Sequence, residues 1–190
     1  MKNQKVKSIR SHLRSIFSRA VWCICITAIG TLAEITRAQE AHPAGQDSGP
    51  KIGASAINFD LKTLDGKPVS LQTFRGKPLV MNLFASWCDP CRDEKRLIND
   101  LASKSSQEGY GVLAIAVEDG RAAITEYAKE AKLVFPIALD LNSTVKRAYR
   151  ILGPPATFFI DGRGVIRDIV IRPITAQRAR DALKKADLVR

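Results

Sequence analysis

Trp87-Cys88-Asp89-Pro90-Cys91 sets two cysteines two residues apart behind a tryptophan. A pair spaced this way can close a structural disulfide, supply half of a metal site, or cycle between dithiol and disulfide. So short a loop constrains an unfolded chain little, so a purely structural bridge would stabilise little. A zinc site wants four ligands, and the only histidines, His12 and His42, lie far from the pair in sequence. No metal and no cofactor are therefore expected. The flanking sequence favours redox cycling. An apolar run, Lys77–Ala85, enters the motif, and a helix-forming stretch leaves it at Asp89. Cys88 then falls at a helix N-terminus, where free N–H groups and the helix dipole favour a thiolate. Cys91 lies one turn on, on the same face, so the two sulfurs can meet. Pro90 sits in the first turn, where its missing N–H costs nothing.

The elements that must hold this motif alternate in period. Ile57–Leu61 and Val69–Leu71 flank Asp65-Gly66, a hairpin signal. Lys77–Ala85 and Gly111–Val117 are continuous apolar runs, the pattern of strands buried on both faces. The stretch from Asp89 to about Gln107 places Leu97, Ile98 and Leu101 at helical spacing and stops at Gly109. Helix is expected again over Ala122–Ala131, Thr144–Tyr149 and Thr175–Lys185. Short strands are expected at Phe135–Leu139 and Thr157–Ile160, and Asp161-Gly162-Arg163-Gly164 turns the latter back into Val165–Ile171. Strands alternating with helices predict an α/β fold, a central mixed β-sheet flanked by helices, with an extra N-terminal β-hairpin.

Charge separates this domain from what precedes it. The chain of 190 residues carries a net +11. Residues 1–38 hold seven bases against one acid, a net of +6, and the remainder holds 23 against 18, a net of +5. The domain's own charges are mixed, so no clustered basic face for nucleic acid is expected. Residues 1–19 carry six positive charges and no acid, and the apolar run Ala20–Ala33 follows. Its 14 residues are short for a membrane span, which needs about 20, and fit a signal-peptide core. Thr36 and Ala38 supply small residues for cleavage before Gln39. Residues 1–38 therefore read as a signal peptide or an N-terminal membrane anchor, 39–51 as a polar, Pro/Gly-rich linker and 52–190 as the folded domain. Either reading delivers the domain across a membrane, into a periplasmic or other extracytoplasmic space. Cys23 and Cys25, inside the apolar run, read as small hydrophobes.

Three stretches together carry a family resemblance: FDLKTLDGKPVSL (59–71), GKPLVMNLFASWCDPCR (76–92) and YRILGPPATFFIDGRG (149–164). They resemble the TlpA/ResA-like extracytoplasmic thioredoxins over about residues 54–171. A peroxiredoxin would share the fold, but no Thr-x-x-Cys arrangement surrounds Cys88. The resemblance implies a thioredoxin-like fold and a thiol–disulfide oxidoreductase. Cys88 would attack a client disulfide, and Cys91, expected to be the more buried, would attack Cys88 to release the reduced client. Glu94 matches a glutamate implicated near the active site of ResA-like proteins and is expected to assist proton transfer at Cys91; the alternative is a surface glutamate in the charged run Arg92–Arg96. Asn82 stands where ordinary thioredoxins keep a buried aspartate, and it cannot titrate. Pro155 matches the cis-proline that faces the motif, and Pro154 before it has no N–H to offer a client backbone. Trp87 would form the rim of the site. Phe84 stands where many relatives have Trp, and Lys95-Arg96 replaces an apolar residue and a proline that kink the first helix, which predicts a straighter helix here.

Asp89 puts a carboxylate beside Cys88, which disfavours the thiolate and makes the couple less oxidising. The expected activity is reduction of specific client disulfides, of the cytochrome c maturation or oxidase copper-site assembly class, with electrons from a membrane donor. Ala156 stands where the cytochrome-maturation branch often carries Glu. A thiol oxidase or isomerase on the same fold, and a non-catalytic client-binding or metal-holding protein, are the alternative readings. The partners expected are client proteins with disulfides or thiols and the membrane donor, and the chain is expected to act as a monomer.

Overall fold

The computed structural model describes residues 49–186. Residues 1–38, expected to be a signal or anchor segment and holding Cys23, Cys25 and His12, lie outside the described residues, as do His42 and all but the last three residues of the expected linker 39–51. Seven strands alternate with four helices: β1 (Asp60–Thr63), β2 (Pro68–Ser70), β3 (Leu79–Phe84), α1 (Asp89–Glu108), β4 (Gly111–Val117), α2 (Arg121–Glu130), β5 (Ile137–Asp140), α3 (Thr144–Ala148), β6 (Ala156–Ile160), β7 (Ile166–Val170) and α4 (Ala176–Lys185). They form one sheet in the order β2-β1-β5-β4-β3-β6-β7. β3 runs parallel to β4, and β4 to β5; the other pairs are antiparallel. This is the mixed sheet with an N-terminal hairpin that the sequence predicts. Among the described residues, no helix is long and apolar enough to cross a membrane.

The continuous apolar runs of β3 and β4 have a simple cause: every residue of both strands is buried, because both faces of the sheet are covered. Alternation along a strand sorts the side chains into two layers. Leu79, Met81 and Leu83 pack with Leu113, Ile115, Phe158, Tyr149 and Val145 of α3. On the opposite face Val80 and Phe159 meet Ile98 and Leu101 of α1 and Ala182 and Leu183 of α4, and Phe84 meets Ile124 and Tyr127 of α2. Asn82 and Thr157 are paired across β3 and β6, and their alternation puts both on that second, helix-covered face.

Several boundaries differ from expectation. β1 begins at Asp60 rather than Ile57, because the Ile57 carbonyl accepts the Tyr149 hydroxyl at 2.7 Å instead of a strand partner. β2 ends at Ser70, and Leu71–Phe74 winds into a 3-10 turn capped by Thr73 Oγ1, which accepts from Ser70 N at 3.1 Å. β5 starts after Pro136, which has no N–H for a ladder, and ends on Asp140. The Asp140 carboxylate then accepts from the backbone N–H groups of Thr144 at 2.8 Å and Lys146 at 2.9 Å, starting α3. α1 runs without interruption through Lys95-Arg96 for 20 residues and stops at Gly109, whose φ of 83° is the left-handed conformation that glycine adopts freely. Upstream of β1, residues 53–56 lie against Gly164–Ile166, at the start of β7. Gly53 N donates to Ile166 O at 2.8 Å, Ile166 N to Ala54 O at 2.9 Å and Ala56 N to Gly164 O at 2.8 Å.

Candidate active site

Strand register brings three connections to one end of the sheet. Leu83 pairs with Ile115 of parallel β4 and with Ala156 of antiparallel β6. The chain leaving β3 (Ala85–Cys88), the chain leaving β4 (Glu118–Gly120) and the chain entering β6 (Gly153–Pro155) therefore meet there. Cys88 is the N-cap of α1, and a disulfide joins it to Cys91, with Cα atoms 5.3 Å apart. Cys88 Sγ also accepts the Cys91 N–H at 3.2 Å, the donor a thiolate at this position would use. Asp89 and Pro90 are exposed in the first turn. The Pro154–Pro155 bond is cis. Trp87 is 56% exposed at the rim, and Leu152, just before the proline pair, is 97% exposed. The expectation that Cys91 is the more buried cysteine does not hold in this oxidised form. Both are 3% exposed, since the sulfur–sulfur bond holds the Cys88 side chain inward.

The segment between β3 and α1 is held by side chains that sequence reasoning missed. Ser86 N donates to Asp119 Oδ2 at 2.7 Å, and Ser86 O accepts from Arg92 Nε at 3.1 Å and Nη2 at 2.8 Å. The Arg92 guanidinium also lies over the Tyr127 ring, 5.2 Å from its centroid. The Trp87 indole N–H donates to Glu118 O at 3.0 Å. Glu118 has a φ of 52°, unusual for a non-glycine residue, and its carboxylate pairs with Lys146 at 2.5 Å. An acid at the carboxyl end of a buried strand, as at Asp119, is the one sequence signal that points here; nothing in sequence marks Arg92.

Beneath the disulfide lies a buried polar network. Glu94 is 4% exposed, not a surface residue of the charged run. Its Oε1 accepts from Asn82 Nδ2 at 2.9 Å and its Oε2 from Ile174 N at 2.8 Å. Asn82 Nδ2 gives its second proton to Thr157 Oγ1 at 3.0 Å. Burial pushes the Glu94 carboxyl above its ordinary value of 4.5, while the Ile174 and Asn82 donors pull the other way. Asn82, Cys91, Glu94 and Tyr127 share a cavity of about 10 Å³, roughly what one water requires. Tyr127 is raised as well, by burial first, with the Arg92 charge opposing and the Glu94 charge adding. Among the described residues, no group of three His, Cys, Asp or Glu side chains converges as a metal site would need.

A disulfide capping the first helix, a cis-proline connection at the same end of a mixed sheet and a buried carboxyl one turn along define a thiol–disulfide oxidoreductase of thioredoxin-like fold. The chain belongs to the AhpC/TSA family, whose profile matches residues 52–169, and within that fold it groups with the ResA-like thiol–disulfide oxidoreductases. It is 30% identical over 135 residues to the thiol-disulfide oxidoreductase ResA of Bacillus thuringiensis subsp. konkukian, covering 71% of this chain and 78% of that one. It is 28% identical over 180 residues to ResA of Oceanobacillus iheyensis, covering 93% and 91%. Among solved structures it is similar to a thiol:disulfide interchange protein of the thioredoxin family from Chlorobium tepidum TLS, with a TM-score of 0.63 at 27% identity over 74% of this chain and 98% of the other. Ala85, three residues before Cys88, leaves the chain without the Thr-x-x-Cys arrangement of a peroxide-reducing member.

Proposed function

We propose that this protein is an exported reductase of specific client disulfides, of the cytochrome c maturation or oxidase copper-site assembly class, kept reduced by a membrane electron donor. The observation that carries the reading is the placement of Cys88 as the N-cap of α1, with Cys91 bonded to it from inside the helix. The Cys88 thiolate attacks one sulfur of the client disulfide; a Cys88–client bond forms, and the other client sulfur leaves as a thiolate. Cys91 then loses its proton to Glu94 and attacks the Cys88 sulfur. The Cys88–Cys91 bond forms, and the second client sulfur leaves with the electron pair of the broken bond. Two client sulfurs are reduced and two protein sulfurs oxidised. Trp87 and the Pro154–Pro155 connection receive the client chain, and Pro154 offers it only a carbonyl. Asp89, exposed beside Cys88, disfavours the thiolate and so biases the couple towards giving electrons. The basic and apolar character of residues 1–38 supports export, by a cleaved signal or an uncleaved anchor.

The reduction potential of the Cys88–Cys91 couple tests the direction of flow. Equilibration in dithiothreitol or glutathione buffers, read by thiol alkylation, should give a value near or below the roughly −270 mV of thioredoxin. A value towards the roughly −120 mV of the strong periplasmic oxidant would make the protein a disulfide donor instead. Cys91→Ser should accumulate a covalent client adduct on Cys88.

A further inference from the structure

Glu94, Asn82 and Thr157 come from α1, β3 and β6 and are 4%, 3% and 0% exposed. No bulk water repairs a lost hydrogen bond among them, so each must find its partner within the network. An ionised carboxylate only accepts, so the amide nitrogen of Asn82 has to face it, as it does at 2.9 Å. A protonated carboxyl must donate. Glu94 Oε2 stays an acceptor in both states, because the Ile174 N–H it receives at 2.8 Å is a donor at every pH. An added proton then belongs on Oε1, and on the lone pair that faces Asn82 Nδ2 it meets donor against donor. A half-turn of the Asn82 amide removes the conflict. Oδ1 then faces both neighbours and accepts from Glu94 and from Thr157, whose hydroxyl rotates from acceptor to donor. Thr157 can make that reversal because a hydroxyl carries both functions. An aspartate at 82 could not, since its ionised form would repel Glu94.

We propose that Asn82 and Thr157 are positioning residues of the resolving step: the Asn82 amide turns over and the Thr157 hydroxyl reverses as Glu94 takes the Cys91 proton, so the Glu94–Asn82–Thr157 chain stays hydrogen-bonded before and after. This rests on the reading of Glu94 as the acceptor of that proton. The other groups facing Glu94 are Cys91 and Lys95 on its own helix and Tyr127 of α2, which line the same cavity, with Arg92 over the Tyr127 ring. Beyond the Ile174 segment, Asp168 of β7 is bonded by Arg178 of α4 at 2.5 and 2.6 Å.

Two measurements on the full chain test it. In the oxidised protein, the side-chain amide resonances of Asn82 and the carboxyl carbon of Glu94 are followed against pH. They should move together with one midpoint, and Thr157→Val should reduce the amide response. Asn82 resonances that stay fixed while Glu94 titrates would overturn the proposal. The second measurement is release of a chromophoric thiol from a preformed Cys88 mixed disulfide, which reads the Cys91 attack alone. Thr157→Val should slow release about ten-fold on the Glu94-dependent limb, the worth of one hydrogen bond, with Thr157→Ser restoring it. Asn82→Asp should move that limb up by about one pH unit or more, since two carboxyls then share the site. Lower melting temperatures with an unmoved limb would mean a structural role only and overturn the proposal. If Glu94→Gln leaves the limb in place, Glu94 is not the proton acceptor and the catalytic half of the proposal falls. The turnover of the amide is judged by the resonances alone.

Discussion

Replacing Glu94 by Gln should make the folded protein less sensitive to rising pH. Burial raises the Glu94 pKa above 4.5 in the fold, so the folded state holds this proton more tightly than the unfolded chain does. Stability from Glu94 is then complete below about pH 4.5. It is lost as pH rises through the folded pKa, and constant above that. Within this window the loss runs at about 1.4 kcal/mol for each pH unit by which the folded pKa exceeds the unfolded one. Gln does not titrate and is nearly isosteric with the protonated acid. Its carbonyl can keep the Ile174 N–H, so at pH 4 the two proteins should differ by no more than about 1 kcal/mol. By pH 8 Glu94→Gln should have gained on wild type. Urea unfolding of both oxidised proteins from pH 4 to 8 isolates the effect, since the bonded cysteines do not titrate and all other groups are shared. A difference that stays constant with pH would refute the reasoning. A variant that falls behind as pH rises would show that the Asn82 and Ile174 donors outweigh burial.

Arg178→Ala should cost about 3 kcal/mol in the same unfolding assay. It leaves Asp168, whose side chain is 3% exposed, with the Ile169 N–H at 2.9 Å and, as the sole remaining cation paired with it among the described residues, Lys185 at 3.8 Å. Gly111→Ala should cost about 1–3 kcal/mol, because a Cβ there would stand 2.8 Å from the Phe74 ring, and that ring must shift. A melting temperature equal to that of wild type would mean that the 3-10 turn yields freely.

Much of the site is legible in the sequence because it is local. The strand, the two cysteines and the helix follow one another within Leu79–Glu108, and the dipole and spacing arguments need no distant partner. Glu94 shows what local reading loses. The run Arg92–Arg96 looks like a solvated face by composition, yet Cys91, Glu94, Ile98 and Leu101 share one helical stripe, and all four are buried. Periodicity outranks composition there. The Ser86 clamp was not legible, since Asp119 reaches it from 33 residues away and only the parallel β3–β4 register makes them neighbours. The 3-10 turn after β2 was missed because Leu71 continues the apolar alternation of the strand while the backbone has already turned.

The segment lying against the start of β7 also has a mechanical meaning. A pull on the chain at Gly49 reaches the three backbone bonds of Gly53, Ala54 and Ala56, two to Ile166 at the start of β7 and one to Gly164 before it, ahead of β1. The next anchor inward is the Tyr149 hydroxyl on Ile57. Were the chain tethered through the residues before Gly49, tension would enter at the outer edge of the sheet, two strands away from β3, which carries the chain into Cys88. A domain fastened by its leading end could be dragged by its anchor and still present the same dithiol to its client.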